Sequence, residues 1–347
     1  MVSRRKLSLL PWTMMGLSAG RVAAQPVAPK AASEDFMVAT DDPGIKLFLR
    51  NKRPVSTGPA APDRTLLFVH GLTYPSSATF DLPLAGQSWM DFIAARGFDV
   101  WCLDLRGYGR STRPPAMSRP ASEAPPQLRS DAAMADVATA VAFIRTRRRI
   151  AKLDLMGWSG GTVLMGRFAA ENPGLVERLV LYAPVWLRQG PPRPGAPPMP
   201  TGAYRTVAKD AIRRDWAAGV PEAKRAGLIP DDWFEQFATA TWSLDPYGAG
   251  ADPPVIRVPN GPLVEILEHY ASGEPFYDPG RITAPTLLVG AEWDLVTTPT
   301  MAAALLPLLA NSPGKRLVTL ADGTHAVFLE RNRHALFQAV QLFLEET

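Results

Sequence analysis

Short apolar runs rich in Val, Leu and Phe recur along the chain at Thr65 to Val69, Phe98 to Leu103, Leu153 to Met156, Leu179 to Tyr182, Thr286 to Val289 and Leu317 to Leu320. Runs that are apolar on both faces predict strands of a buried parallel sheet, because only a sheet covered on both sides hides every side chain. Between most of them lie helix-periodic segments: Trp89 to Ala95, Leu128 to Arg147, Thr162 to Glu171, Met301 to Leu309 and His334 to Leu344. Strand alternating with helix predicts an α/β protein with a doubly wound, mostly parallel sheet. Ahead of this pattern, Phe36 to Thr40 and Ile45 to Leu49 flank Asp41-Asp42-Pro43-Gly44, which predicts an antiparallel hairpin at the sheet edge.

The alternation breaks between Pro184 and Asp278. This stretch opens with the proline-rich segment Pro191 to Pro200 and continues with helical pieces that carry Trp216, Trp233, Phe234, Phe237 and Trp242. Because it follows one core strand and precedes another, it is expected to be an inserted cap over the C-terminal edge of the sheet, where open α/β sheets bind ligands. The expected organisation is a leader at 1–24, a first core part at 25–184, the cap at 185–278 and a second core part at 279–347. A second excursion, Arg113 to Gln127, is rich in Pro and Ser and is expected to form a surface loop near the same rim.

Composition and charge narrow this picture. The chain is 46% hydrophobic and 20% charged, far too apolar for disorder. Its net charge of +4 comes from Arg4, Arg5, Lys6 and Arg21, for without them 33 basic residues face 33 acidic ones. A neutral mature chain has no electrostatic reason to seek nucleic acid or an anionic membrane. The same four residues frame the apolar stretch Leu7 to Gly20, and Val22-Ala23-Ala24 offers small residues for cleavage before Gln25. The pattern is that of an export signal, and Ser-Arg-Arg-Lys-Leu resembles a twin-arginine leader, so a periplasmic or secreted protein without a stable membrane anchor is expected. Cys102 is the single cysteine, which excludes an intramolecular disulfide and any Cys-based metal site; within its apolar run it reads as a small buried hydrophobe.

The chemistry is carried first by Gly157-Trp158-Ser159-Gly160-Gly161, which follows the apolar run ending at Met156 and precedes a helix-compatible segment. A serine on a tight strand-to-helix turn needs glycines around it, because a Cβ would collide where the chain doubles back. The turn lifts the hydroxyl above the sheet and leaves the following amides at a helix N-terminus, where developing negative charge is stabilised.

With this motif the chain resembles the α/β-hydrolase family over nearly all of the mature sequence. His70-Gly71-Leu72-Thr73 is similar to the family's His-Gly oxyanion loop, and the resemblance implies that the amide of Leu72 joins that of Gly160 in the oxyanion hole. Asp104-Leu105-Arg106-Gly107-Tyr108-Gly109-Arg110-Ser111 is similar to the family's Asp-x-Arg-Gly-x-Gly-x-Ser segment, whose role there is structural. A serine hydroxyl needs a base within hydrogen-bond reach, and four histidines are available. His70 lies in the oxyanion loop, His269 in the cap and His334 in a helix pattern. His325, in the polar turn Asp322-Gly323-Thr324-His325, resembles the family's catalytic histidine in position. Asp294 matches the family's Gly-x-x-Asp placement after the run ending at Val289 and would hold the imidazole in one tautomer. Glu292, or Asp210 or Asp215 after the preceding strand, are competitors for that role.

The reading is a serine hydrolase acting through an acyl-enzyme on Ser159, with His325 as base and Asp294 as its orienting acid. A carboxylic ester is the first expected substrate, then a lactone or amide, with no metal or organic cofactor. Tyr74, Trp158, Trp186, Trp242 and Phe276 come from segments expected to rim the pocket and favour a small to medium apolar substrate. Carbon-carbon bond hydrolases and cofactor-free perhydrolases use the same triad, although Thr73 stands where the perhydrolase loop has proline. A non-catalytic binding protein of this fold would be expected to have lost a triad residue or an elbow glycine, and neither is lost.

Overall fold

The computed structural model describes residues 31–55, 64–188 and 198–346. The expected export signal and most of the proline-rich segment lie outside the described residues. The chain forms β1 (Ala32–Ala39), β2 (Lys46–Arg53), β3 (Thr65–Val69), β4 (Asp99–Asp104), β5 (Leu153–Trp158), β6 (Val176–Tyr182), β7 (Tyr204–Ala208), β8 (Val255–Pro259), β9 (Thr286–Ala291) and β10 (Arg316–Leu320). Eight of these make one sheet in the order β1-β2-β4-β3-β5-β6-β9-β10. The hairpin β1-β2 is antiparallel and joins β4 antiparallel, while the pairs from β4 to β10 are parallel. The fold is therefore the α/β sheet that the apolar runs predict.

Burial follows the pleat and the layers. Edge strand β1 alternates, with Phe36 and Val38 turned to the core and Met37 exposed. Strands β3, β4, β5 and β9 are buried at every position, as strands covered on both faces must be. The helix Trp89–Ala94 starts with a capping box, Ser88 and Asp91 each accepting the other's backbone N–H, and its Trp89 stacks on Phe337 of the helix Arg333–Glu345 at 4.8 Å. The helices Ser130–Arg148 and Gly160–Glu171 form a second packed pair.

Sheet order fixes where a ligand can sit. From β3 the chain moves outward to β4, then returns past β3 to β5, so the loops leaving β3 and β5 diverge and open a crevice at their C-terminal ends. His70 to Tyr74 follow β3 and Ser159 follows β5, so both motifs lie at that crevice.

Between β6 and β9 the chain leaves the sheet. This insertion holds the helices Lys209–Ala217, Asp231–Trp242 and Gly261–Ser272, and also the antiparallel ribbon β7-β8, which the sequence pattern does not predict. The ribbon strands are only five residues each and are separated by 46 residues, so no hairpin turn marks them. The excursion at 113–127 contains two short 3-10 turns, Pro115–Ser118 and Ala121–Glu123, and is tied to the insertion where Ala203 N–H donates to the Ala121 carbonyl at 2.8 Å.

Candidate active site

Ser159 sits between β5 and the helix Gly160–Glu171 with φ 52° and ψ −125°, a conformation that costs an L-residue about 1–3 kcal/mol and persists only where the surroundings enforce it. The enforcement is steric. A Cβ on Gly157 would stand 2.4 Å from the Gly161 carbonyl oxygen, and one on Gly161 would stand 2.4 Å from that of His70. Neither neighbour can move without breaking the sheet or helix, so the elbow requires glycine at both positions.

His325 Nε2 is 2.9 Å from Ser159 Oγ, and its Nδ1 is 2.7 Å from Asp294 Oδ2. The three side chains are almost wholly buried, at 8% exposure for Ser159, 6% for His325 and 1% for Asp294. The Asp294 carboxylate accepts from the amides of Val296 at 2.8 Å and Thr297 at 2.9 Å and from the Thr297 hydroxyl at 2.7 Å. With every other contact a donor, it can only accept from His325, so Nδ1 carries the proton and Nε2 presents its lone pair to the serine. The competitors do not bond to His325: Glu292 accepts from the Asp322 amide at 3.0 Å, while Asp210 and Asp215 are exposed on the insertion.

The histidine is held by its own loop and by the sheet. Trp158 Nε1–H and the Tyr182 hydroxyl both donate to the His325 carbonyl, at 3.2 and 3.1 Å. Glu330, fully buried, accepts from the Thr324 amide at 3.0 Å and from the Thr324 hydroxyl. Burial pushes the Glu330 carboxyl up to about 7, with the nearby negative charge of Asp294 adding to the rise against the Thr324 hydrogen bonds.

The amides of Leu72 and Gly160 donate to no protein acceptor among the described residues. They are close together, for a Cβ on Gly160 would lie 3.5 Å from the Leu72 nitrogen. The peptide carrying the Leu72 N–H is fixed at its carbonyl end, where His70 Nδ1 donates to Gly71 O at 2.7 Å. His70 Nε2 accepts from the Leu105 amide at 3.1 Å, so the ring is neutral, and burial lowers its pKa to about 4. The following peptide is fixed by Tyr108, whose hydroxyl donates to Leu72 O at 2.8 Å, and by Arg205 of β7 at 2.9 Å. Beneath the loop, Asp104 accepts from the Ser77 amide at 3.0 Å and the Arg110 amide at 3.1 Å, and Ser111 donates to the Asp104 carbonyl. The Asp104 segment is thus structural, and Ser111 is far from acting as a nucleophile.

A cavity of about 610 Å³ opens over Ser159 and His325, within the range for small-molecule sites. Tyr74 and Trp158 line it, whereas Trp186, Trp242 and Phe276 do not. Trp186 is buried against Tyr277 at 5.3 Å, and Trp242 packs behind Tyr74 at 6.4 Å. Phe276 lines a smaller neighbouring cavity of about 180 Å³. These three residues come from segments near the rim, but their large rings are drawn into packing. The walls that sequence reasoning missed are Arg188, Arg205, Ile212, Trp216 and Tyr270. Only Thr297 had a local signal, a hydroxyl three residues after Asp294. Among the described residues no cluster of His, Cys, Asp or Glu is arranged to hold a metal, and no helix is long and apolar enough to cross a membrane.

A search of curated proteins finds no match. Among solved structures, the chain is similar to a serine hydrolase involved in carbazole degradation, at 15% identity and TM-score 0.56, covering 90% of this chain and 99% of that one. It is similar to an esterase from Exiguobacterium antarcticum at 16% identity and TM-score 0.56, covering 90% and 100%. An enol-lactonase from Burkholderia xenovorans shares 17% identity with TM-score 0.53, covering 90% and 100%. At such identities the likeness is one of fold. The family profile for the alpha/beta hydrolase fold matches residues 64–332, from β3 through the loop that carries His325, and this chain belongs to that family.

Proposed function

We propose that this protein is a serine hydrolase that cleaves a carboxylic ester of a small to medium, largely apolar substrate, with lactones or amides as the next class. One observation carries the reading: the unbroken line from Ser159 Oγ through His325 to Asp294, with contacts of 2.9 and 2.7 Å. Ser159 attacks the carbonyl carbon as its proton passes to His325 Nε2, and Asp294 supports the resulting imidazolium. The carbonyl oxygen becomes an oxyanion and accepts from the amides of Leu72 and Gly160. His325 then gives its proton to the departing alcohol, leaving an acyl group on Ser159. Water, deprotonated by the same imidazole, attacks that acyl group and releases the acid.

The fluorophosphonate test is direct, because such a reagent traps only an activated serine. One adduct per chain on the Ser159 peptide is expected, together with turnover of a short-chain p-nitrophenyl ester. Ser159→Ala should abolish the adduct and lower kcat by about 10⁴-fold or more with an unchanged circular dichroism spectrum. Retained turnover in that variant would end the proposal.

A further inference from the structure

The cavity above Ser159 is apolar over most of its wall, yet Arg188 and Arg205 both line it, and neither forms an ion pair with a described residue. Arg205 is the more informative. Its guanidinium donates to the carbonyls of Leu72 at 2.9 Å and Pro259 at 3.1 Å and to the Thr73 hydroxyl at 3.4 Å. A guanidinium carries five N–H donors, so these three bonds leave donors free. Partial burial lowers its pKa, and no carboxylate stands close enough to offset that.

The same ribbon supplies a control. Thr206 pairs with Arg257 across β7 and β8, and adjacent residues of a strand face opposite ways, so Arg205 and Arg257 lie on opposite faces. On its face Arg257 meets Asp245 in a two-pronged ion pair, at 2.7 and 3.0 Å. Buried Arg106 likewise has Asp136. Arg205, on the cavity face, has carbonyl and hydroxyl partners only. Arg333 is a buried arginine that also lacks a carboxylate, but its guanidinium lies over the Trp233 ring at 4.7 Å and the Phe337 ring at 5.7 Å. Asp215 also lines the cavity; it is exposed and pairs with neither arginine. The Tyr74 hydroxyl lines the same cavity, is near enough to Arg205 for the two to interact electrostatically, and has no hydrogen-bond partner among the described residues.

We propose that Arg205, with the Tyr74 hydroxyl beside it, is a carboxylate subsite, so that the preferred substrate is an otherwise apolar ester carrying one free carboxylate. This rests on the ester-hydrolase reading above. A guanidinium fork matches the two oxygens of a carboxylate, which would supply the counter-charge that the described cavity wall does not give Arg205. Arg188, from the Asp294 side of the cavity where it donates to Val296 O at 3.4 Å, adds to the positive field.

Two matched ester pairs test it, each an acid against its methyl ester: mono-p-nitrophenyl glutarate for an acyl-side carboxylate and 3-acetoxybenzoate for an alcohol-side one. Because Arg205 also holds the Leu72 carbonyl, Arg205→Gln should slow all esters, and the informative quantity is the ratio of kcat/KM within a pair. The wild-type enzyme should prefer the acid in one pair, and that ratio should fall about 10- to 100-fold in Arg205→Gln. Absence of a preference in both pairs, or its survival in Arg205→Gln, would overturn the subsite while leaving ester hydrolysis intact. Equilibrium binding of monomethyl glutarate to Ser159→Ala is the arm that needs no turnover. Binding should weaken at least about 10-fold when Arg205→Gln is added. Equal binding to both proteins rejects the subsite even if no ester is ever cleaved, and tighter binding of propyl phosphate rejects the carboxylate class.

Discussion

At the sheet edge, the polar atoms around Ser159 are held from several directions: Asp294 has three donors besides His325, and the His325 carbonyl has two. The facing wall, contributed by the insertion between β6 and β9, is built differently. Ile212, Trp216, Leu263, Ile266 and Tyr270 meet the cavity with apolar surface, and the charged residues beside them, Arg205 and Asp215, have no partner of opposite charge among the described residues. The contrast follows from what each side must do. The acyl transfer proposed for the sheet-edge side would fail if the imidazole or the amides of Leu72 and Gly160 shifted by an ångström, which fits the many contacts that hold those groups. A wall that selects by shape needs only volume and surface, and can change without touching the chemistry.

The comparison is broken or sharpened by three substitutions. Asp294→Asn should have the largest effect. Its amide offers a donor where His325 Nδ1–H needs an acceptor, so the wrong tautomer is favoured and kcat for a p-nitrophenyl ester should drop about 10⁴-fold. A loss below about tenfold would mean that Thr297, 3.3 Å from the same nitrogen, can replace the carboxylate.

Glu330→Gln probes the sheet-edge support through pH. The interior favours protonated Glu330, so its stabilising contribution is complete below pH 4.5 and is lost as the pH rises through about 7. Glutamine keeps an acceptor for Thr324 and has no charge to bury. Chemical denaturation across this range should therefore show the variant gaining on the wild type by up to about 3 kcal/mol from acid to neutral pH. A pH-independent difference would mean that Glu330 titrates no higher in the folded protein than in the unfolded chain.

Ile212→Ala, in the insertion, should have the smallest effect. Removing this wall residue should raise the kcat/KM ratio of long to short acyl esters by about tenfold. An unchanged ratio would mean that the insertion does not select by acyl length, and the division between the two walls would lose its support.

Much of this was legible in the chain. Apolar runs such as Leu153 to Met156 and Thr286 to Val289 predict their strands because burial on both faces leaves no other arrangement for so many large side chains. Gly157 reports the elbow because its steric demand is local, a Cβ there meeting the Gly161 carbonyl four residues on, whereas Gly161 is required by the His70 carbonyl, which only the fold brings near. The aromatic pocket was only half legible, since Tyr74 and Trp158 line the cavity whereas Trp242 packs one layer behind. A ring in a rim segment can serve either end, and its neighbours in space decide.

What the sequence by itself determined, then, is the order of strands and helices of the main sheet, the serine turn and the polar loops at the strand ends, since each depends largely on residues near it in the chain. The tertiary structure alone decided which of those polar groups meet. His325 reaches Ser159 across 166 residues and Arg205 reaches the Leu72 carbonyl across 133. Such contacts depend on how the sheet twists and where the insertion settles, and these come from packing summed over the whole core, which no local pattern of side chains encodes.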